Sequence, residues 1–183
     1  MPHSDPTNIH TSALRDYQLK DTIWASQGTV FLSGTEALVR LMLMQRQCDK
    51  RQQWNTRGFI SGYRGSPLGM VDQVIWKQGE AFKAAGIEFV PAINEELGAT
   101  QVLGTQRVES DPERTVDGVF GLWYGKGPGV DRAGDALKHG NAYGSSPHGG
   151  PQENVLTGRL LHEPRGRHNG NLPCLGFLRT DHP

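Results

Sequence analysis

A rhythm repeated along the chain constrains its fold more than any other feature: an apolar run, a corner of glycines or acids, then a segment with helical spacing. "RGFISGY" (57–63) leads through "RGSPLG" to "MVDQVIWKQGEAFKAAG", and "IEFVPAI" (87–93) leads through "NEE" to "LGATQVLGTQRVES". "DGVFGLWY" (117–124) leads through "GKGPGVD" to "RAGDALKHGNAYG". Short apolar runs bounded by turn residues read as buried strands, and strand–helix units in succession predict an α/β domain. The expected architecture is three-layered, a parallel sheet flanked by helices with right-handed crossovers. Such sheets bind ligands beyond the carboxyl ends of their strands, so the three corners should meet along one edge.

The clearest single element precedes this rhythm. In "FLSGTEALVRLMLMQRQCDKRQQW", Ser33 can cap a helix and Glu36 can complete a capping box, while Leu38, Leu41, Met42 and Leu43 supply an apolar face. Residues 1–26 lack a sustained period and read as a loose arm with one short element.

Charge and cysteine usage narrow the functional classes. Lys plus Arg (19) equals Asp plus Glu (19), so no overall field favours nucleic acid or an anionic membrane surface. No stretch approaches the roughly 18 apolar residues that span a bilayer, and "MPHSDPTNIH" is not a signal peptide, so a cytoplasmic protein is expected. Cys48 and Cys174 are far apart and form neither a disulfide framework nor a cluster-binding set. No metal ligands are assigned. The 24 glycines, about twice ordinary usage, suggest many close approaches of backbone to a neighbour or ligand.

The corners carry the candidate chemistry. In the first, Gly62, Arg64, Gly65 and Ser66 combine bare amides, a hydroxyl and a guanidinium fork suited to a carboxylate or phosphate oxygen, although a plain turn with a solvated Arg reads equally well. It is not a Walker loop, because no GxxxxGK[ST] occurs. In the third, Gly127 and Gly129 flank Pro128 and would allow close approach of a ligand, with a helix beginning near Asp131. The second holds Glu95 and Glu96. A helix-start charge explains either singly. The apolar run up to "PAIN" should also withdraw Glu95 partly from water, which gives a carboxyl the capacity to hold a proton and to serve a heterocyclic nitrogen.

Taken in order, "FLSGTEALVRLMLMQ", "GFISGYRGSPLG", "INEELGATQVLGTQ" and "GLWYGKGPGVDRAGDALKHGN" resemble the amino-terminal region of the indolepyruvate ferredoxin oxidoreductases in their long single-chain bacterial form, over about residues 27–150. The resemblance implies the pyrimidine-binding domain of a thiamine-diphosphate-binding fold, incomplete at its carboxyl end. It implies oxidative decarboxylation of aryl pyruvates, 2-oxo acids whose acyl group passes to coenzyme A while iron–sulfur clusters pass electrons to ferredoxin. The family's corner glutamate bonds N1′ of the aminopyrimidine ring and promotes loss of the thiazolium C2 proton. Family members carry a glycine nine positions after that glutamate, and counting back from Gly104 gives Glu95. Gly62, Gly127 and Gly129 are then expected beside the cofactor. Ser66 carries over to the substrate corner, usually Tyr-Pro-Gly-Thr/Ser-Pro, with Gly65 beside it; Arg64 stands where many relatives have Pro and could pair with the substrate carboxylate.

The sequence also departs from that pattern. After "SSPHGG" the family continues with an apolar strand, an Asp-Asp segment and Lys-Ser-Ser, whereas residues 151–183 read as an irregular, foreign tail, as a frame shift or truncation would leave. The Gly-Asp-Gly and downstream Asn that bind diphosphate through Mg²⁺, and the cysteine sets for clusters, do not occur. The expectation is therefore a partial enzyme, inactive alone, that needs the missing diphosphate-binding domain or chain and forms a homo-oligomer if intact. The alternative is a non-catalytic partner module that completes the site of a separate thiamine-diphosphate-binding chain.

Overall fold

The protein is described by a computed structural model that covers residues 17–64, 69–143 and 173–178. Its elements run α1 (Asp21–Trp24), α2 (Gly34–Arg51), β1 (Thr56–Gly62), α3 (Gly69–Ala84), β2 (Ile87–Phe89), α4 (Glu95–Thr105), a 3₁₀ turn at Val108–Ser110, β3 (Gly118–Lys126), α5 (Gly127–Arg132), α6 (Gly134–Tyr143) and β4 (Pro173–Leu178).

The predicted capping box starts α2. Ser33 Oγ accepts from the Glu36 amide while the Glu36 carboxylate accepts from the Ser33 amide at 2.7 Å. The buried face differs from the expected one: Val39, Met42 and Leu43 point inward together with Arg46 and Asp49, whereas Leu41 is exposed. Two polar groups can sit there because each has partners. Arg46 donates to the carbonyls of Ala85 and Trp54, and Asp49 accepts from Thr56 Oγ1 at 2.6 Å. Arg40 ties α1 to α2 by donating to the carbonyls of Asp21, Thr22, Ile23 and Ala25.

The sheet order is β2–β1–β3–β4. The first three strands are parallel, with Thr56 opposite Gly118 and Gly62 opposite Tyr124, as the strand–helix rhythm predicts. β2 is shorter than expected, but its pairing resumes at a bridge between Tyr63 and Ala92. The Val90 and Ala92 amides donate to Ile60 and Gly62, so Pro91, which has no N–H, falls at the position between them that donates nothing.

The tail expectation needs correction. Pro173–Leu178 pairs antiparallel with β3, from Lys126 opposite Pro173 to Gly121 opposite Leu178. "PCLGFL" is too short to stand out from the Pro- and Gly-scattered sequence around it, and only a partner strand fixes its conformation. The rest of 151–183 lies outside the described residues.

Helices cover both faces. On one, Val39, Met42 and Leu43 of α2 and Val71, Ile75 and Phe82 of α3 pack on Ile60, Ile87, Phe120, Leu122 and Tyr124. On the other, Ala99 and Val102 of α4 and Ala133 and Ala136 beyond α5 pack on Trp123 and Phe59. Alternate residues of β1 and β3 thus serve opposite layers. Because β1 leads to β2 on one side and β3 lies on the other, the strand order reverses between β1 and β3, and a crevice is expected beyond their carboxyl ends. Among the described residues no helix is long and apolar enough to cross a membrane.

Candidate functional site

Two helices deliver a carboxylate each to this edge. α4 begins directly after the Tyr63–Ala92 bridge, and its cap is Asn94, whose Oδ1 accepts from the Leu97 amide at 2.8 Å. Neither acid is therefore needed as a cap. Glu95 is 8% exposed and Glu96 lies on the outer side of the same turn.

The source of Glu95's burial is not the apolar run before it, since Ile93 is 81% exposed. It is α5 and β3. The Trp123 indole donates to the Glu95 carbonyl at 3.1 Å, and a Cβ on Gly129 would stand 2.6 Å from Glu95 Cγ. Gly129 is thus the residue that makes room for the Glu95 side chain. Among the described residues, none donates a hydrogen bond to the Glu95 carboxylate. Gly104, from which the nine-residue spacing is counted, has nothing within 4 Å of an added Cβ, so no packing contact explains that spacing.

One turn into α4, Gly98 lies close against Gly62: a Cβ there would be 3.4 Å from the Gly62 Cα. On the opposite face of the sheet the space beside Gly62 is filled by Tyr124, whose ring atoms stand 2.5 Å from where a Cβ would be. Packing thus accounts for glycine at 62. Gly127, by contrast, borders open space.

Tyr124 and Asp72 are residues that the sequence reading missed. The Tyr124 hydroxyl donates to Asp72 Oδ1, and both residues are buried. Burial is the largest influence on each. It pushes the Asp72 carboxyl above the ordinary range, against the opposing effects of the Tyr124 bond and of Arg64, and it holds the Tyr124 phenol well above the usual tyrosine range. The phenol is therefore a firm donor. A signal did exist: Asp72 follows Val71 and precedes Val74 and Ile75, so the apolar face of α3 carries an acid near its start. A routine helix-start charge is the simpler reading of such an acid.

Arg64 is exposed, with its guanidinium 4.3 Å from the ring centroid of Trp76, a cation–π contact. Trp76 also meets Phe89 edge to face, with centroids 6.0 Å apart. Gly65 and Ser66 lie outside the described residues.

The third corner is not the expected glycine loop. β3 runs to Lys126 and α5 starts at the next residue, so Gly127 and Gly129 are helical. Pairing of Gly125 and Lys126 with Cys174 and Pro173 extends β3 across the corner. The helix expected near Asp131 starts four residues earlier and is divided at Ala133.

The arrangement offers one buried acid that no donor among the described residues answers, one cation held on an aromatic face, and a buried acid–phenol pair on the α3 side of the sheet. Among the described residues no group of three or more His, Cys, Asp or Glu could hold a metal ion. Comparison with protein-family models, with curated proteins and with solved structures returned no match.

Proposed function

We propose that the chain is the pyrimidine-binding part of a thiamine-diphosphate-dependent indolepyruvate:ferredoxin oxidoreductase, inactive until a diphosphate-binding domain or chain completes the site. The observation that carries this reading is Glu95: 8% exposed, in the first turn of α4, at the carboxyl edge of a parallel sheet, and unclaimed by any donor among the described residues.

The residues fit one half of the cofactor. The carboxylate of a mostly buried Glu95, with no donor among the described residues, suits the N1′ side of an aminopyrimidine, where it can take part in a hydrogen bond with that nitrogen at little cost in reorganisation. Gly129 and the Trp123 bond fix where Glu95 stands. The diphosphate half has no matching Gly-Asp-Gly in the sequence, and Mg²⁺ would be held elsewhere. When bound, thiamine diphosphate supplies the carbon nucleophile and electron sink for decarboxylating a 2-oxo acid. Arg64 is the arm for the substrate carboxylate, through its forked N–H donors. With only Cys48 and Cys174 in the sequence, the clusters, the coenzyme A site and ferredoxin docking belong to other parts of such an enzyme.

Exchange of the thiazolium C2 proton, followed by NMR in a complex of the full chain with a diphosphate-binding chain, tests the reading. Glu95→Gln should slow exchange by roughly 10²- to 10⁴-fold and Glu96→Gln should stay within about two-fold of wild type. Equal effects of the two substitutions would sink the assignment.

A further inference from the structure

α2 carries two seams. Val39, Met42, Arg46 and Asp49 recur at intervals of three and four residues along its inner side and are buried. Ala37, Leu41, Met44, Cys48 and Arg51 recur at intervals of four and three along its outer side. At about 100° per residue these outer positions fall within an arc of about 80°, a single stripe down the helix. Leu41 and Met44 are each 47% exposed, Cys48 and Arg51 are exposed, and Ala37 is half-buried. The flanking side chains turn away from the stripe, Arg40 to the carbonyls of α1 and Gln45 to Asp49. Apolar residues spaced in this way along one face are the pattern by which a helix packs on a second helix, and on the outside of α2 that pattern meets solvent.

The charges at the two ends of α2 select the occupant. Its first turn carries Glu36 and its last turn Lys50 and Arg51. Two copies of α2 side by side and parallel would set like charges together. Antiparallel copies set Glu36 of one beside Lys50 and Arg51 of the other, and their helix dipoles attract. Of the antiparallel registers, the one that pairs every apolar member of the stripe places Ala37 opposite Cys48 and Leu41 opposite Met44 of the second copy, and a twofold axis repeats each contact. Arg51 then lies beyond the last apolar layer, alongside the first turn of the second copy, where Glu36 stands.

We infer that the outer stripe of α2 is a self-association surface, on which two copies of this chain pair antiparallel through Ala37, Leu41, Met44 and Cys48. The inference does not depend on the cofactor reading. The apolar layers extend over about 17 Å of helix, less than a standard interface provides, so the pairing is reversible and depends on concentration.

Disulfide trapping of the full chain tests the pairing, in a Cys174→Ser background that leaves Cys48 as the one thiol. In the antiparallel register the two Cys48 residues stand about 16 Å apart along the helix axis, too far for a disulfide, so this parent should cross-link slowly. Ala37→Cys puts a thiol opposite Cys48 of the second copy and should give covalent dimer under mild oxidant at least about ten-fold faster, because pairing raises the local thiol concentration. Positions 37 and 48 of one chain are themselves about 16 Å apart, so no bond within the chain competes. Adding Leu41→Glu should return the rate to that of the parent. Sedimentation of the unmodified chain up to about 1 mM should show dimer that Leu41→Glu, a change at an exposed side chain, removes; this measurement decides if Ala37→Cys does not fold. An Ala37→Cys chain that cross-links no faster than its parent, or a parent that cross-links as fast through Cys48 alone, would overturn the inference. So would an unmodified chain that stays monomeric at about 1 mM, which would leave the stripe to a different occupant.

Discussion

The two buried acids at the carboxyl edge of the sheet differ in what surrounds their oxygens. Asp72 and Glu95 each lie in the first turn of a helix, on opposite faces of the sheet, and each belongs to a cluster that requires a glycine, at 62 and 129 respectively. Asp72 is answered by the Tyr124 phenol; no donor among the described residues answers the Glu95 carboxylate. A buried acid with its partners in place holds the fold together, whereas one with acceptor capacity left over is equipped to meet a ligand. Burial alone would not have separated them.

Substitutions can break this contrast. The largest expected effect is at Gly62, where an added methyl would stand 2.5 Å from a ring that cannot retreat while its hydroxyl is bound to Asp72. Gly62→Ala should lose about 3 kcal/mol in urea unfolding. A smaller loss would mean that the Tyr124 ring is free to move.

Tyr124→Phe keeps the ring and strips Asp72 of its donor, at a cost of about 1–3 kcal/mol near neutral pH. Asp72 has a folded pKa above its unfolded value of 3.8, so its contribution to stability is complete below that value and is lost as pH rises through the folded one. The deficit of Tyr124→Phe should therefore shrink as the pH of the unfolding experiment falls from neutral toward about 4. A deficit that grows on acidification would contradict the environment described for Asp72.

The smallest effect sharpens the Glu95 side. Gly127→Ala meets open space but stands directly before Pro128, where a Cβ disfavours helical backbone, so it should change stability by no more than about 0.5 kcal/mol, whereas Gly129→Ala should cost about 1 kcal/mol because its methyl displaces Glu95 Cγ. Thermal unfolding of the two variants side by side reads the difference.

Much of this architecture was legible in the sequence, and the failures have identifiable causes. The Ser33–Glu36 box is local chemistry between residues three apart, so it could be read directly. The inward face of α2 was misread because Arg46 and Asp49 are buried on the strength of partners at Ala85 and Thr56, beyond the helix itself. The glycines of "GKGPG" suggested a loop, but a strand from the far end of the chain keeps Lys126 in the ladder. At the site, Glu95 was chosen over Glu96 from a spacing for which the fold offers no packing reason, and its inward position is separately visible in its burial against α5.

The alternation of strands and helices, the start of α2 and the acids at the beginning of α4 follow from local sequence alone, because hydrophobic period and capping act over a few residues. Packing between distant elements settles which glycines border open space and which are filled, that Tyr124 answers Asp72, and that no described residue donates to the Glu95 carboxylate. Those outcomes depend on side chains brought together from β1, α3, β3 and α5, and no local pattern records such a meeting.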